Sequence, residues 1–309
     1  MHTPVVLGLD FGGTKIAAAV SDITGARLGG TTIDARPGEG ARASLARGVE
    51  AARLLLDRVA PGRELAAVGA STFGIPLEDG IALAPAIAGW TDLALGRELA
   101  AAFGGAEVRV ATDVKAAARV EVESGALRGC DPAIYLNLGT GLAVAIVVGG
   151  TVVNGRNGAA GEIGYNLRAV ADVGLAPHQR VPLEDMVSGR ALVRAAPDAA
   201  AVFAAAPYDP AMAALVADFT AELAFHLVNL TIAIDPMRIA VGGGMVRSWH
   251  LLNGTLRAAL DAAVPYPPEL VVAAHPYDAP LLGALALATA ATCDRQAAPI
   301  TSVKEGLSG

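Results

Sequence analysis

The sequence predicts an α/β protein made of two domains. Short runs rich in β-branched residues alternate with alanine-rich helical stretches, which is typical of sheets flanked by helices. With 309 residues, the chain has room for two ordinary domains. A strand–turn–strand pattern at 5–22 returns at 133–153, so we expect two halves built on one plan by duplication.

Each element is predicted from an apolar run and the turn residues that bound it. The first half indicates strands at 5–11, 15–22, 26–35, 65–71 and 107–111, with helices at 44–59 and 93–103. The second half indicates a helix at 114–127, the hairpin at 133–153, a helix at 212–234 that ends before Asp235-Pro236, strands at 237–243 and 270–274, and a helix at 280–292. We place the domains at 1–114 and 115–279, and we expect the last helix, about 280–295, to pack back on the first domain.

Composition excludes several classes of protein. Hydrophobic residues make up 53% of the chain and charged residues 17%, which excludes a disordered chain. The longest uncharged run, 132–155, is interrupted by Asn137, Thr140 and several glycines, so it predicts strands rather than a membrane-spanning helix. The net charge of −7 argues against a nucleic-acid partner. We expect a cytoplasmic enzyme without a signal peptide or membrane partner, and without a disulfide because Cys130 and Cys293 are far apart.

An acidic glycine turn follows the first strand. Asp10 is followed closely by Gly12, Gly13, Thr14 and Lys15, and glycines without a Cβ let backbone N–H groups approach an anion. An acid there would repel phosphate unless a Mg²⁺, held through water, lies between them. The alternative is a plain hairpin turn, for which Gly-Gly is a common sequence.

Two further glycine runs favour the same chemistry. Gly139, Thr140 and Gly141 form an equivalent turn in the second half, and two such turns can hold one polyphosphate from both sides. The run 242–244 follows a strand and precedes a helix, which suits close approach to a nucleotide. Tight packing of the strand against the helix is the alternative explanation for that run.

These elements, in this order, resemble the sugar-kinase, actin and Hsp70 ATPase superfamily, and within it the ROK family of sugar kinases and repressors. The resemblance rests on six spaced motifs: DFGGTK at 10–15, TDVKAAARVE at 112–121, LNLGTGLAVAIV at 136–147, GEIG at 161–164, LE with SGRAL within 183–192, and IDPMRIAVGGGM at 234–245. It implies two actin-like (ribonuclease H-like) ATPase domains with an interdomain cleft, ATP and Mg²⁺ as cofactors, and a homodimer.

The resemblance also implies a set of site residues. Asp113 would take the proton from a sugar hydroxyl that attacks the γ-phosphoryl group, and its alternative role is the N-cap of the following helix. The substrate-binding set would be Gly74, Thr112, Asp113, Glu162, Tyr165 and Glu184. The two glutamates would accept hydrogen bonds from sugar hydroxyls, or alternatively lie exposed to solvent in loops. The nucleotide site would comprise Asp10, which holds Mg²⁺ through water, with Gly12, Gly13, Thr14, Lys15, Gly139, Thr140, Gly141, Gly242, Gly243 and Gly244.

The sequence departs from the family's pattern near the sugar. Tyr165 stands where the family's GEIGH motif ends in histidine, and residues 168–181 contain no cysteine of its CxCGxxGC segment. We therefore expect no zinc site and a surface position for His178. Thr112 replaces an asparagine, and Ala86 stands where the family often has another, so the sugar contacts change while the ATP motifs do not. Because the first strand begins near residue 5, we expect no helix-turn-helix domain of the kind found in the family's repressors.

We expect an ATP- and Mg²⁺-dependent kinase that phosphorylates a hydroxyl of a hexose-like substrate, and we expect this hydroxyl to be primary. The substitutions favour a modified ring, such as an amino sugar, an N-acetylhexosamine or a C7-cyclitol, over plain glucose. The alternative is that neighbouring side chains fill the gaps and glucose still binds well. A catalytically weak sugar-binding regulator that keeps the fold is the rival function.

Overall fold

The computed structural model describes residues 3–196 and 198–297, with side chains described as far as Cys293. They form two compact units. Unit 1 contains the described residues up to Ala111 and those from Ala284 onward, and unit 2 contains those from Thr112 to Gly283. This division differs slightly from the expected one after residue 114, because Thr112 and Asp113 begin unit 2.

Unit 1 is built on a five-stranded sheet. Its strands are β1 (Val5–Phe11), β2 (Lys15–Asp22), β3 (Arg27–Asp34), β4 (Leu65–Thr72) and β7 (Glu107–Thr112), in the spatial order β3-β2-β1-β4-β7. Strand β1 pairs antiparallel with β2 and parallel with β4. In this register Asp10 lies opposite Ser71 of β4, near the carboxyl end of both strands.

The helices of unit 1 cover its sheet through apolar faces. Helix α1 (Ala41–Val59) contacts β2 and β3 and buries residues at helical spacing, among them Leu45, Ala52 and Leu55. Helix α2 (Leu95–Ala102) precedes β7, and a short hairpin of β5 (Ile75–Pro76) and β6 (Ile81–Ala82) follows β4. The hairpin was not predicted, since two-residue strands have no readable period.

Trp90 fixes the end of β1 in unit 1. Its ring centroid lies 5.7 Å from that of Phe11 and 5.2 Å from that of Phe73. The indole Nε1 donates a hydrogen bond of 3.0 Å to the Thr72 hydroxyl, so its polar atom is satisfied although the side chain is buried. The residue that follows Asp10 is therefore held by aromatic packing.

Unit 2 repeats the plan of unit 1. Its sheet contains β8 (Ala133–Leu138), β9 (Leu142–Val148), β10 (Thr151–Val152), β11 (Arg238–Gly242) and β12 (Glu269–Val272), in the order β10-β9-β8-β11-β12. Strand β8 pairs antiparallel with β9 and parallel with β11. Strands β8, β9 and β10 thus form a meander to which two parallel strands are added. The strand order matches that of unit 1, which confirms the α/β prediction of two halves on one plan.

The helices of unit 2 include two that were not predicted. Helix α3 (Asp113–Ser124) contacts β8 and β9, and α6 (Pro210–Ile234) contacts α5 and α7. The remaining helices are α4 (Gly189–Leu192), α5 (Ala199–Ala205) and α7 (Trp249–Ala263). Helices α4 and α5 lie in the long stretch between β10 and α6, where glycine and proline interrupt the apolar pattern and hide short helices from periodicity.

Helix α6 is long and apolar enough to cross a membrane by length and composition alone. Of its most apolar 18-residue stretch, 33% is buried inside the protein. The core helix of a soluble protein passes the same test. Here Phe219, Leu223 and Leu227 are buried at helical spacing in the core of unit 2. The helix is therefore weak evidence for a membrane span.

Helix α8 (Ala279–Ala297) begins in the last residues of unit 2, and its residues from Ala284 onward belong to unit 1. Within unit 1 it lies so close to β4 that a Cβ on Gly69 would fall 1.8 Å from the carbonyl oxygen of Ala284. Only glycine fits that position without moving the helix.

Candidate functional site

Asp113 is the first residue of α3 in unit 2. The N-cap is its neighbour Thr112, whose buried hydroxyl accepts a 3.3 Å hydrogen bond from the Lys115 amide. Asp113 Oδ1 accepts a 2.8 Å hydrogen bond from the Val114 amide. The N-cap alternative for Asp113 is thus wrong, since Thr112 fills that role. The Thr112 hydroxyl oxygen caps the helix, and the expected contact of Thr112 with substrate stays a prediction.

Burial dominates the electrostatics of Asp113. Burial raises the pKa of the carboxyl to about 6. The hydrogen bond from the Val114 amide lowers the pKa, and the negative charge of Glu184 raises it by a smaller amount. The carboxyl therefore changes its protonation state close to neutral pH, where a general base is most effective.

Glu162 lies near Asp113 and shares its environment. Burial raises the pKa of Glu162 to about 7, with the charge of Asp113 acting in the same direction and the Lys115 ammonium opposing the shift. The structure thus brings Asp113, Glu162 and Glu184 within electrostatic reach of one another in unit 2. We call these three residues the acidic cluster.

Glu184 holds the second glycine turn in place. Its Oε2 accepts a 3.0 Å hydrogen bond from the Leu142 amide, and its Oε1 pairs with Arg190. A Cβ on Gly141 would lie 2.6 Å from Oε2. The solvent-exposed alternative is therefore wrong for Glu184, which is half-buried and bonded to the turn it faces.

Lys115 lies close to Glu162 of the acidic cluster and was not among the residues predicted for the site. Its side chain is buried, and its Nζ donates to the carbonyl oxygens of Asn154, at 3.2 Å, and Gly158. Burial lowers the pKa of the ammonium, and the nearby Glu162 opposes that shift. The available signal was a lysine in place of the asparagine of the family's NDANAAALGE segment, two residues after Asp113.

Tyr165 ends the short 3-10 helix Ile163–Tyr165 that follows Glu162. Its half-buried phenol has a raised pKa because of burial and then the charges of Glu184 and Glu162. Arg180 donates to the backbone at this point, at 2.6 Å to the Tyr165 carbonyl and 3.0 Å to the Asn166 carbonyl. The phenol therefore lies beside the acidic cluster, on a backbone held by a guanidinium group.

The residues present do not fit the zinc site of the wider family. Tyr165 has no imidazole, the segment 168–181 has no cysteine, and His178 is exposed, as expected for a surface residue. That segment is held by other means: Arg168 forms a two-point ion pair with Glu222 of α6, and the Asn166 side-chain amide lies 3.4 Å from Nδ1 of His226.

The first glycine turn, in unit 1, joins β1 to β2 as a hairpin and has an open surface. The Gly12 amide donates to the Lys15 carbonyl at 2.9 Å, while the side chains of Thr14 and Lys15 are exposed. Asp10 Oδ1 accepts a 2.8 Å hydrogen bond from the Ser71 hydroxyl. A carboxylate oriented in this way fits the oxygen chemistry that Mg²⁺ requires. Gly13 has open space beside it, since a Cβ there would meet no described atom within 4 Å.

Three of the four remaining predicted glycines, Gly74, Gly242, Gly243 and Gly244, have packing reasons to be glycine. Gly74 has φ 75° and lies against Ala82 and Ala84. A Cβ on Gly242 would lie 2.1 Å from the Tyr135 hydroxyl, and one on Gly243, with φ 94°, would lie 2.4 Å from the Leu138 carbonyl. The packing alternative therefore explains Gly242 and Gly243, whereas Gly244 is exposed and has open space around it.

Three of the known proteins that are similar to this chain illustrate its relationships. The bifunctional enzyme NanE/NanK of Brucella melitensis is 32% identical over 92% of the chain, and the match spans 54% of that enzyme. The kanosamine kinase of Amycolatopsis mediterranei is 29% identical over 79% of the chain and 82% of its own length. The crystal structure of a ROK family glucokinase from Streptomyces griseus in complex with glucose and AMPPNP has a TM-score of 0.75 at 28% identity, with 92% of this chain and 99% of that chain covered.

The family assignment rests on a match along nearly the whole sequence. The ROK family model matches residues 6–291, which include all six motifs from DFGGTK to IDPMRIAVGGGM. The chain spans about half the length of the first curated relatives that it matches. The resemblance to the ROK family is thus confirmed, and this chain belongs to it.

Proposed function

We propose that this chain is a sugar kinase that transfers the γ-phosphoryl group of ATP to a hydroxyl of a hexose-like substrate. The observation that carries the proposal is the state of Asp113 on the first turn of α3, where burial raises the pKa of the carboxyl to about 6. Such a group is ionised at neutral pH yet basic enough to accept a proton. Kinase names among the relatives and the glucokinase bound to AMPPNP support the same function.

In the proposed reaction, the substrate hydroxyl loses its proton to Asp113. Its oxygen bonds to the γ-phosphorus as the bond from that phosphorus to the β–γ bridging oxygen breaks, which releases ADP. Phosphoryl transfer needs mainly positioning and neutralisation of charge. Glu162 would accept hydrogen bonds from neighbouring sugar hydroxyls, and Glu184, already bonded to Leu142 and Arg190, would orient the turn at 139–141.

Unit 1 would supply phosphate and metal contacts. The exposed turn at 12–15 offers backbone N–H groups and the Lys15 ammonium to phosphate oxygens. Asp10 would hold Mg²⁺ through water, and the ion would neutralise phosphate charge. In unit 2, Gly139, Thr140 and the exposed Gly244 are the proposed backbone contacts to the nucleotide.

We infer that the preferred substrate is a modified ring rather than plain glucose. The Thr112 hydroxyl is shorter than the asparagine amide that it replaces, and its oxygen already accepts from the Lys115 amide, while Ala86 has no polar side-chain atom. Two hydrogen bonds of about 0.5–1.5 kcal/mol each would thereby be lost to glucose. The Tyr165 phenol beside Glu184 and Glu162 suits an amino group or an apolar substituent, and one relative is named for the amino sugar kanosamine.

An ADP-release assay over a panel tests both parts of the proposal. The panel contains glucose, mannose, kanosamine, N-acetylglucosamine, N-acetylmannosamine and a C7-cyclitol, each with and without Mg²⁺. We expect Mg²⁺-dependent turnover and a kcat/KM for one modified ring that exceeds that for glucose about tenfold to a hundredfold. The highest kcat/KM with glucose would contradict the substrate inference alone. Sugar binding without any turnover would support the weak regulator instead.

The assembly and location remain predictions. Helix α6 leaves Phe225 and Ile232 exposed, which supports a second copy of the chain as partner. We propose a cytoplasmic homodimer, and light scattering at micromolar protein should give twice the monomer mass. The monomer mass at every concentration would contradict it.

A further inference from the structure

We propose that Arg180 positions the sugar-contacting backbone of unit 2 in place of a metal and thereby decides which ring is accepted; this rests on the proposed kinase function. The guanidinium reaches back fifteen residues along the chain to the Tyr165 carbonyl and fourteen to the Asn166 carbonyl. Charge-assisted hydrogen bonds from one planar group to two successive carbonyls fix the orientation of the peptide between them.

The same peptide is held from its other sides. The Tyr165 amide donates to the Glu162 carbonyl at 3.1 Å, and the Asn166 amide donates to the Ile163 carbonyl at 2.9 Å. The Asn166 side chain lies at hydrogen-bonding distance from the buried His226. Tyr165 is therefore fixed both to Glu162 of the acidic cluster and, through its neighbour Asn166, to helix α6.

A second arginine anchors the segment that carries Arg180. Arg168 forms the two-point ion pair with Glu222, one turn before His226 on α6. Asp172 accepts hydrogen bonds of 3.0 Å from the amides of Arg168 and Ala169, which closes the start of the segment. We call Arg168, Arg180 and Glu222 the guanidinium clamp.

The clamp has a consequence for specificity rather than for the chemical step. Arg180 contacts backbone oxygens, so it acts through the placement of Tyr165 and Glu162. If the peptide at 165–166 turns freely, the phenol and the carboxylate no longer present one arrangement to the ring. Discrimination among rings should fall, while Asp113, which belongs to another element, keeps its place on α3.

Hydrogen exchange tests the clamp without any substrate. We compare the amides of 163–168 in the wild type, Arg180→Ala, Arg180→Lys and the control Arg128→Ala, whose exposed side chain lies elsewhere in unit 2. We expect about tenfold or faster exchange in Arg180→Ala, an intermediate rate in Arg180→Lys because an ammonium lacks the planar fork, and no change in Arg128→Ala. Treatment of the wild type with EDTA should leave the exchange unchanged.

The sugar panel then tests the effect on specificity. In Arg180→Ala, we expect KM for the best substrate to rise about tenfold, kcat to change less, and the ratio of kcat/KM between best and worst sugars to shrink, with partial rescue in Arg180→Lys. Unchanged exchange in Arg180→Ala, or altered exchange of the wild type after EDTA treatment, overturns the clamp. Faster exchange with an unchanged preference among sugars overturns its role in specificity. A wild type that turns over no sugar refutes the kinase function, and the exchange data still decide whether the clamp exists.

Discussion

The two glycine turns look alike in the sequence and differ in the fold. Both connect the first two strands of a sheet with the same strand order. The turn in unit 1 is open, and a Cβ on Gly13 would meet nothing within 4 Å. The turn in unit 2 is braced by Glu184 and by a hydrogen bond of 2.8 Å from the Gly189 amide to the Gly139 carbonyl. The same plan thus carries an open turn in one unit and a braced turn in the other.

The acidic cluster makes unit 2 the unit in which a single substitution should cost most activity. We expect Asp113→Asn to reduce kcat about 10²–10⁴-fold, because it removes the proposed base and keeps its size. The matched control is Asp57→Asn on the exposed face of α1 in unit 1, which should keep wild-type turnover. Steady-state kinetics with the best sugar decide this, and activity of Asp113→Asn within threefold of wild type would contradict the role.

The pKa shifts predict the pH dependence of this unit's chemistry. A base must be ionised, and burial raises the pKa of Asp113 to about 6, so kcat/KM should fall about tenfold per pH unit below that value and level off above it. The charge of Glu184 contributes to the raised pKa of Asp113. Glu184→Gln should therefore move the acidic limb to lower pH. A wild-type profile that is flat from pH 5 to 7 would count against Asp113 as base.

Two lysines, one in each unit, extend the comparison to the stability of the fold. Lys115 is buried in unit 2 and donates to two carbonyls, whereas Lys15 is exposed in unit 1. We expect Lys115→Met to lower the free energy of unfolding by about 1–3 kcal/mol, because the Gly158 carbonyl loses its donor. Lys15→Met should leave it within about 0.5 kcal/mol. Urea unfolding of both variants measures the difference. Equal changes in the free energy of unfolding would show that the buried hydrogen bonds of Lys115 do not stabilise unit 2.

The smallest expected difference is between two glycine-to-alanine changes in the turns themselves. In Gly141→Ala the new methyl group would displace the Glu184 carboxylate from the Leu142 amide, which costs about 0.5–1.5 kcal/mol. Gly13→Ala meets open space and should keep the melting temperature of the wild type. Scanning calorimetry at one pH compares the two. If both variants have the same melting temperature, the contacts of Glu184 with the second turn do not contribute to stability.

The sequence predicted the sheets well because their signal is local. The strands β1, β2 and β4 lie within one residue of the expected ranges, and β8 and β9 lie inside the hairpin expected at 133–153, since apolar runs bounded by glycine define them. The α4 and α5 helices were missed because their signal is too short and irregular. The sequence also placed Asp113 directly before a helix expected at 114–127, and the structure begins α3 one residue earlier, at Asp113 itself.

Contacts between distant parts of the chain could not be predicted. The buried carboxylate of Glu121 accepts hydrogen bonds from the amides of Ala274 and His275, 153 and 154 residues away. Lys115 likewise finds its partners 39 and 43 residues later, and Glu184 binds an amide 42 residues earlier. Each of these side chains is an ordinary charged residue in the sequence, and only the tertiary fold gives it a buried partner.

Helix α8 has a consequence for how the chain is made. Synthesis begins at the amino terminus and domains tend to fold as units when they emerge, at about 5–20 residues per second. Unit 1 holds the earliest strands, yet the helix packed on Gly69 of β4 starts in unit 1 only at Ala284. Unit 2 is continuous in sequence and is complete at Gly283. The half of the protein that is translated first is therefore the half that finishes folding last. One face of its sheet stays without its covering helix until residues from Ala284 onward have been synthesised.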